Sequence, residues 1–304
     1  MPETIPILLL TFGALYTSHK LFTFWKAIGA IDHLPGYRVA FHDDSLVLIL
    51  TRIPGIAPGF NYLFLDKYTT RYTKWDVTSM VSMFPNVVTS LAVADADTAK
   101  HILSDRTLFP KPLAQMKFLT FFGNNIGTVN GEEWKRHRKI SAPTFSDRNN
   151  RLVWDETILI MESLFSDVWK NKDVVSVDHF VDLTLAIAIF VISVAGFGKK
   201  VSWLNDTIIP DGHKMTFKDS LHITCTDVIF KLLFPDWILD HGTRRMKNTR
   251  IAFDEMKVYM SEMIQDRRLS DKVERHDLLS ALMNAHSDDL SDSYLSDSEL
   301  MGSI

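Results

Sequence analysis

Trp134 and Arg138 stand four residues apart in a stretch that reads as a helix, so their side chains share one face. An indole N–H beside a guanidinium fork is a donor pair suited to carboxylates. The surrounding residues give this helix ends. Asn130 is placed as its N-cap, with Glu133 three residues on to close a capping box. Glu132 and Glu133 fall in the first turn, where the helix dipole favours negative charge, and Pro143 ends the run. A Trp and an Arg at this spacing also arise by accident. The pair alone therefore leaves an ordinary surface contact open.

The wording of residues 123–148 around that pair resembles one helix of the cytochrome P450 family, the haem-thiolate monooxygenases. The resemblance implies a haem cofactor whose propionates are held by Trp134 and Arg138, with Lys111 as a further contact. It implies an apolar small-molecule substrate oxidised with O2, and electrons drawn from NADPH through a flavoprotein reductase. Lys135 to Lys139 form a basic run, whose default meaning is a solvated helix face. The resemblance offers Lys135 and Lys139 as the reductase-docking residues, with Arg138 pointing inward. An aromatic loop holds Met116, Phe118, Phe121 and Phe122. Core packing is its default use; the family comparison adds Phe118, Phe121 and Phe122 as lining for the substrate site.

The elements that must carry these residues read as mostly α with a minor β hairpin, an incomplete form of that family's fold. Residues 60–73 read as an aromatic-rich helix. Runs at 78–84 and 87–93 are short, apolar and β-branched, joined at Pro85-Asn86 as a hairpin. Asp95 and Asp97 offer N-caps for a short helix through Leu103. Helices follow at 150–170, 179–195, 215–233, about 244–268 and 277–286, with a polar loop at 287–293. The 179–195 stretch is apolar nearly all round and is expected to be deeply buried. Ser296, Glu299, Leu295 and Leu300 make a nearly complete helix opening, with capping box and staple. In the family this opening introduces the long central helix. A frayed C-terminal turn is one reading; the expectation preferred is a truncated chain, without the Glu-x-x-Arg pair and the cysteine loop that ligates iron.

The N-terminus differs in character. Residues 4–18 carry no charge but are shorter than the roughly 20 residues a spanning helix needs. No basic residue precedes them as a secretory signal would require. A buried core helix is one reading. A signal-anchor or monotopic membrane segment over residues 1–30 is preferred, because Leu34-Pro35-Gly36 then breaks the chain. Residues 31–304 would be the front portion of the catalytic domain. The resemblance places the anchor in the endoplasmic reticulum membrane, with the catalytic part facing the cytosol.

Bulk properties narrow the alternatives. In 304 residues, 46% hydrophobic content and a net charge of −4 describe a globular chain without the basic excess of a nucleic-acid binder. The single cysteine excludes an internal disulfide and fits a reducing compartment. Cys225 sits in a helical stretch without the family's glycines, so it reads as a small buried core residue rather than the iron ligand. The 11 histidines show no zinc spacing, and no metal site is expected from the protein's own side chains. A non-enzymatic helical protein that binds a membrane surface or a partner is the alternative from another class.

Overall fold

The computed structural model describes residues 4–42, 52–59, 62, 75–204, 208–269, 277–284 and 294–304. They fall into two compact units, Met1–Phe109 and Pro110–Ile304. The helix expected at 60–73 and the polar loop at 287–293 lie outside the described residues, Tyr62 apart.

The first unit opens with α1 (Thr4–Ala30), followed by β1 (Gly36–Phe41), β2 (Val77–Phe84), β3 (Val88–Val93) and α2 (Ala96–Ser104). The Pro85-Asn86 turn joins β2 and β3 as an antiparallel pair, as its turn residues require. Strand β1, which no pattern in the sequence announces, lies parallel to β2 on its other edge. Such a pairing is non-local and leaves no short-range turn signal. Asp95 caps α2, its carboxylate accepting from the Thr98 N–H at 2.7 Å. One side of α1 is in protein, where Phe24 and Ile28 bury against Val81. Ile7, Leu8, Leu10, Phe12, Leu15, Phe22 and Trp25 are exposed on the same helix. No described helix is long and apolar enough to cross a membrane.

The second unit is helical. It comprises a 3-10 turn at Gln115–Thr120, then α3 (Gly131–Ser141), α4 (Asp147–Ser163) and α5 (Phe180–Ala195). After these come α6 (Phe217–Thr226), α7 (Val228–Leu233), α8 (Asp236–His241), α9 (Arg244–Leu269), α10 (Leu278–Asn284) and α11 (Asp297–Ser303). The expected 215–233 helix is divided at Asp227. That carboxylate turns away to accept from the Arg245 guanidinium at 2.7 Å. One core cluster joins Ile160, Ile189, Phe190, Phe217, Leu221 and Met256. A second joins Ile140 of α3 to Ile264, Leu279, Leu282 and Leu300.

The deep burial expected of α5 is only partly realised. Ile189, Phe190, Ser193 and Val194 are buried, whereas Phe180 and Val181 are each 64% exposed. Beside it, Val153, Trp154, Ile158, Met161 and Phe165 of α4 and its last turn line an open apolar groove of about 510 Å³. Apolar periodicity states what a helix could bury; coverage depends on what packs there.

Candidate functional site

Helix α3 begins at the expected residue, but without the expected cap. Asn130 is the N-cap residue in extended backbone, yet its side chain makes no capping bond. Its amide Nδ2 donates instead to the Lys111 carbonyl at 3.2 Å. Gly131 follows with φ +59, a left-handed turn that glycine adopts without steric cost. The Asn130 amide is turned to a tertiary acceptor instead of receiving a first-turn N–H at its Oδ1, so the Asn130–Glu133 capping box does not form.

On the helix, Trp134 is half-buried and Arg138 exposed. The Arg138 guanidinium carbon lies 5.4 Å from the centre of the Trp134 ring. The Lys111 ammonium lies 5.8 Å from the same ring. Lys111 Nζ also donates to the carbonyls of Ile126 at 2.5 Å and Val129 at 3.2 Å, which ties the preceding loop to this face. Among the described residues Arg138 makes no ion pair. Two cations thus lie within about 6 Å of one indole ring, chemistry that favours an anion with several acceptor oxygens.

The basic run does not act as one surface. Lys135 pairs with Glu132 at 2.6 Å with both side chains largely exposed, an interaction of about 0–1 kcal/mol. Lys139 is exposed as well. Arg136 and His137 turn inward to Glu299 of α11, a residue that the sequence marks only as part of a capping box. Arg136 forks onto the Glu299 carboxylate with both terminal nitrogens and donates to the Tyr294 carbonyl. His137 Nε2 lies 3.2 Å from Glu299 Oε1. Ser296 donates to Oε2 from its backbone N–H and its hydroxyl, each at 2.9 Å, completing the expected capping box. Burial alone would raise the Glu299 pKa, but Arg136 and Ser296 hold it down to about 2. Burial pushes the His137 imidazole pKa down, against the pull of Glu299.

Glu133, His137 and Glu299 each bring one ligand atom within 4.8 Å of the others. No sequence spacing announces this trio. Arg136 already balances the Glu299 charge, so the cluster is an ion-pair hub before it is anything else.

The aromatic loop packs inward. Phe121 meets Phe253 of α9 edge-on at 5.3 Å, and Phe122 stacks on the same ring at 5.7 Å. Phe122 also joins the core cluster of α5, α6 and α9. The Phe118 side chain lies outside the described residues. Next in the chain, Gly123 has φ +144, and a Cβ there would sit 1.8 Å from the Ser298 carbonyl oxygen. A Cβ on Gly302 would meet the Gly123 carbonyl oxygen at 2.4 Å. Two glycines therefore let α11 lie directly on the aromatic loop.

Cys225 is exposed on α6, a correction to the buried position expected. Enough protein atoms surround the sulfur to push its thiol pKa up, opposite to what a thiolate ligand requires.

Comparison with known proteins bears on the family and the fold. The family model for Cytochrome P450 matches residues 54–304. Cytochrome P450 monooxygenase 124 of Postia placenta is 45% identical over 97% of this chain and 57% of its own length. Cytochrome P450 monooxygenase ORF6 of Penicillium roqueforti is 34% identical over 57% of this chain and 30% of its own. The chain thus spans little more than half of the first of these relatives. The crystal structure of the cytochrome P450DA heme domain superposes with a TM-score of 0.59 at 16% identity. That match covers 80% of this chain and 50% of the other, and supports the fold.

Proposed function

The chain belongs to the cytochrome P450 family, and on that premise we propose that the outer face of α3 holds the propionates of a haem through Trp134 and Arg138. The carrying observation is Arg138 lying on the Trp134 ring with no ion pair among the described residues, and Lys111 on the same ring. This donor set fits the group the family implies. Bound haem would supply the oxygen activation and redox chemistry that side chains lack. The chain's own contribution is to orient it by its carboxylates and to exclude water with apolar side chains. The reaction is insertion of one oxygen atom from O2 into an apolar small molecule, with electrons from an NADPH-dependent flavoprotein reductase. Lys135 and Lys139, both exposed beside Arg138, form its docking patch. Phe121 and Phe122 form the apolar side of the substrate site.

Titration of the 304-residue chain with haem, followed by absorbance, tests the anchoring role. Charge-assisted hydrogen bonds contribute about 1.5–3 kcal/mol each, so Arg138→Ala is expected to weaken binding about tenfold or more. Lys139→Ala is expected to change it by less than about twofold. Equal losses would make Arg138 one more surface charge.

Residues 1–30 we assign to attachment at the endoplasmic reticulum membrane, with the haem-binding part in the cytosol. The apolar residues exposed along α1 support contact with lipid. Deleting residues 1–30 is expected to move the protein from the membrane pellet to the soluble fraction. Unchanged sedimentation would remove the anchor from this assignment.

A further inference from the structure

Helix α3 is short, and its N-cap side chain is engaged elsewhere, so something else must fix its rotation about its own axis. At about 100° per residue, Trp134 and Arg138 share one direction, and Arg136 with His137 points roughly 130° away from it. Glu299 holds that second direction. It takes both terminal nitrogens of Arg136 and, at 3.2 Å, Nε2 of His137, whose side chain is fully buried. Ser296 completes its acceptor capacity from the cap of α11, so the carboxylate cannot turn without losing several bonds at once. Its partners on α3 lie 162 and 163 residues away in sequence.

We infer that Glu299 is a positioning residue for the carboxylate-binding face of α3: by clamping Arg136 and His137 it sets the direction in which Trp134 and Arg138 are presented. This rests on the propionate reading above. Glu299 acts through the rotation of the helix. Loss of its charge leaves a buried His137 without this acceptor and Arg136 with the Tyr294 carbonyl, and α3 is then held in this region by that bond, by Ile140 in the core and by the Asn130–Lys111 contact.

The test compares the affinity of the 304-residue chain for protoporphyrin IX and for its dimethyl ester, which differ only in the carboxylates. Wild type is expected to prefer the free acid about tenfold or more. Arg138→Ala and Glu299→Ala are both expected to bring the ratio close to one. Glu299→Gln, which keeps the shape and an acceptor, should fall between and serves where the alanine chain does not fold. Leu239→Ala, a change at a fully buried core position of α8, supplies lost stability without touching α3. It should lower the melting temperature and keep the ratio. A Glu299 variant that retains the wild-type ratio while Arg138→Ala loses it overturns the positioning role and leaves the propionate reading standing. If Leu239→Ala loses the ratio equally, general loosening explains the effect and the inference fails. If Arg138→Ala also retains the ratio, the propionate reading falls and takes the inference with it.

Discussion

Reduced under carbon monoxide with haem supplied, the purified 304-residue chain is expected to give no thiolate-type carbonyl band. The expectation follows from its one cysteine. A thiolate ligand needs donors or positive charge close to sulfur to hold its pKa down. At Cys225 surrounding protein atoms push the thiol pKa up instead. The residue lies near the end of α6, a regular helix whose backbone N–H groups are spent within it, so few donors can reach the sulfur. Cys225→Ser should therefore leave the spectrum of the haem-loaded chain unchanged. A thiolate band that this substitution abolishes would make Cys225 the iron ligand and overturn the assignment.

The largest stability effect is expected at Arg267. Its side chain is 9% exposed, and its partner Asp277 is 3% exposed, with 3.1 Å between Nη2 and Oδ1. The same nitrogen donates to the Phe197 carbonyl at 2.6 Å. Asp277 accepts from the Ser280 N–H at 2.9 Å and from its hydroxyl at 3.1 Å, which opens α10. One pair thus ties the end of α9 to the start of α10 and to the turn after α5. Arg267→Ala would leave Asp277 buried and uncompensated, at a cost of about 3–5 kcal/mol. Denaturant unfolding of the variant against wild type measures it. A loss below about 1 kcal/mol would mean that water reaches the pair.

Features set within a few residues are legible in the sequence. Asp95 caps its helix, Pro85-Asn86 turns the hairpin, and Ser296 with Glu299 closes a capping box, because each needs only neighbouring backbone groups. The Trp134–Arg138 face is legible for the same reason, since helical spacing alone makes the two neighbours. Features decided by distant partners are not. Asn130 has good capping chemistry, but the Lys111 carbonyl takes its amide. Within the basic run, Arg136 and His137 look no different from Lys135 and Lys139, and only Glu299 separates the inward pair from the outward one. Strand β1 needs β2, some 40 residues on, to exist at all. At Cys225, composition favours the interior, yet helix rotation decides otherwise.

Two missing side chains join parts of this molecule that chemistry would treat as separate. Where α11 meets Gly123 and Gly302, backbone touches backbone, with no flexible atoms between to absorb a displacement. The loop bearing Phe121 and Phe122 and the helix bearing Glu299 therefore move as one mechanical part. Any lateral shift of α11 is transmitted to the aromatic loop and, through Arg136 and His137, to α3. On the proposed roles of Phe121, Phe122 and the Trp134–Arg138 face, a change of substrate preference at the aromatic loop would carry a toll at α3, so the two traits should drift together across related sequences.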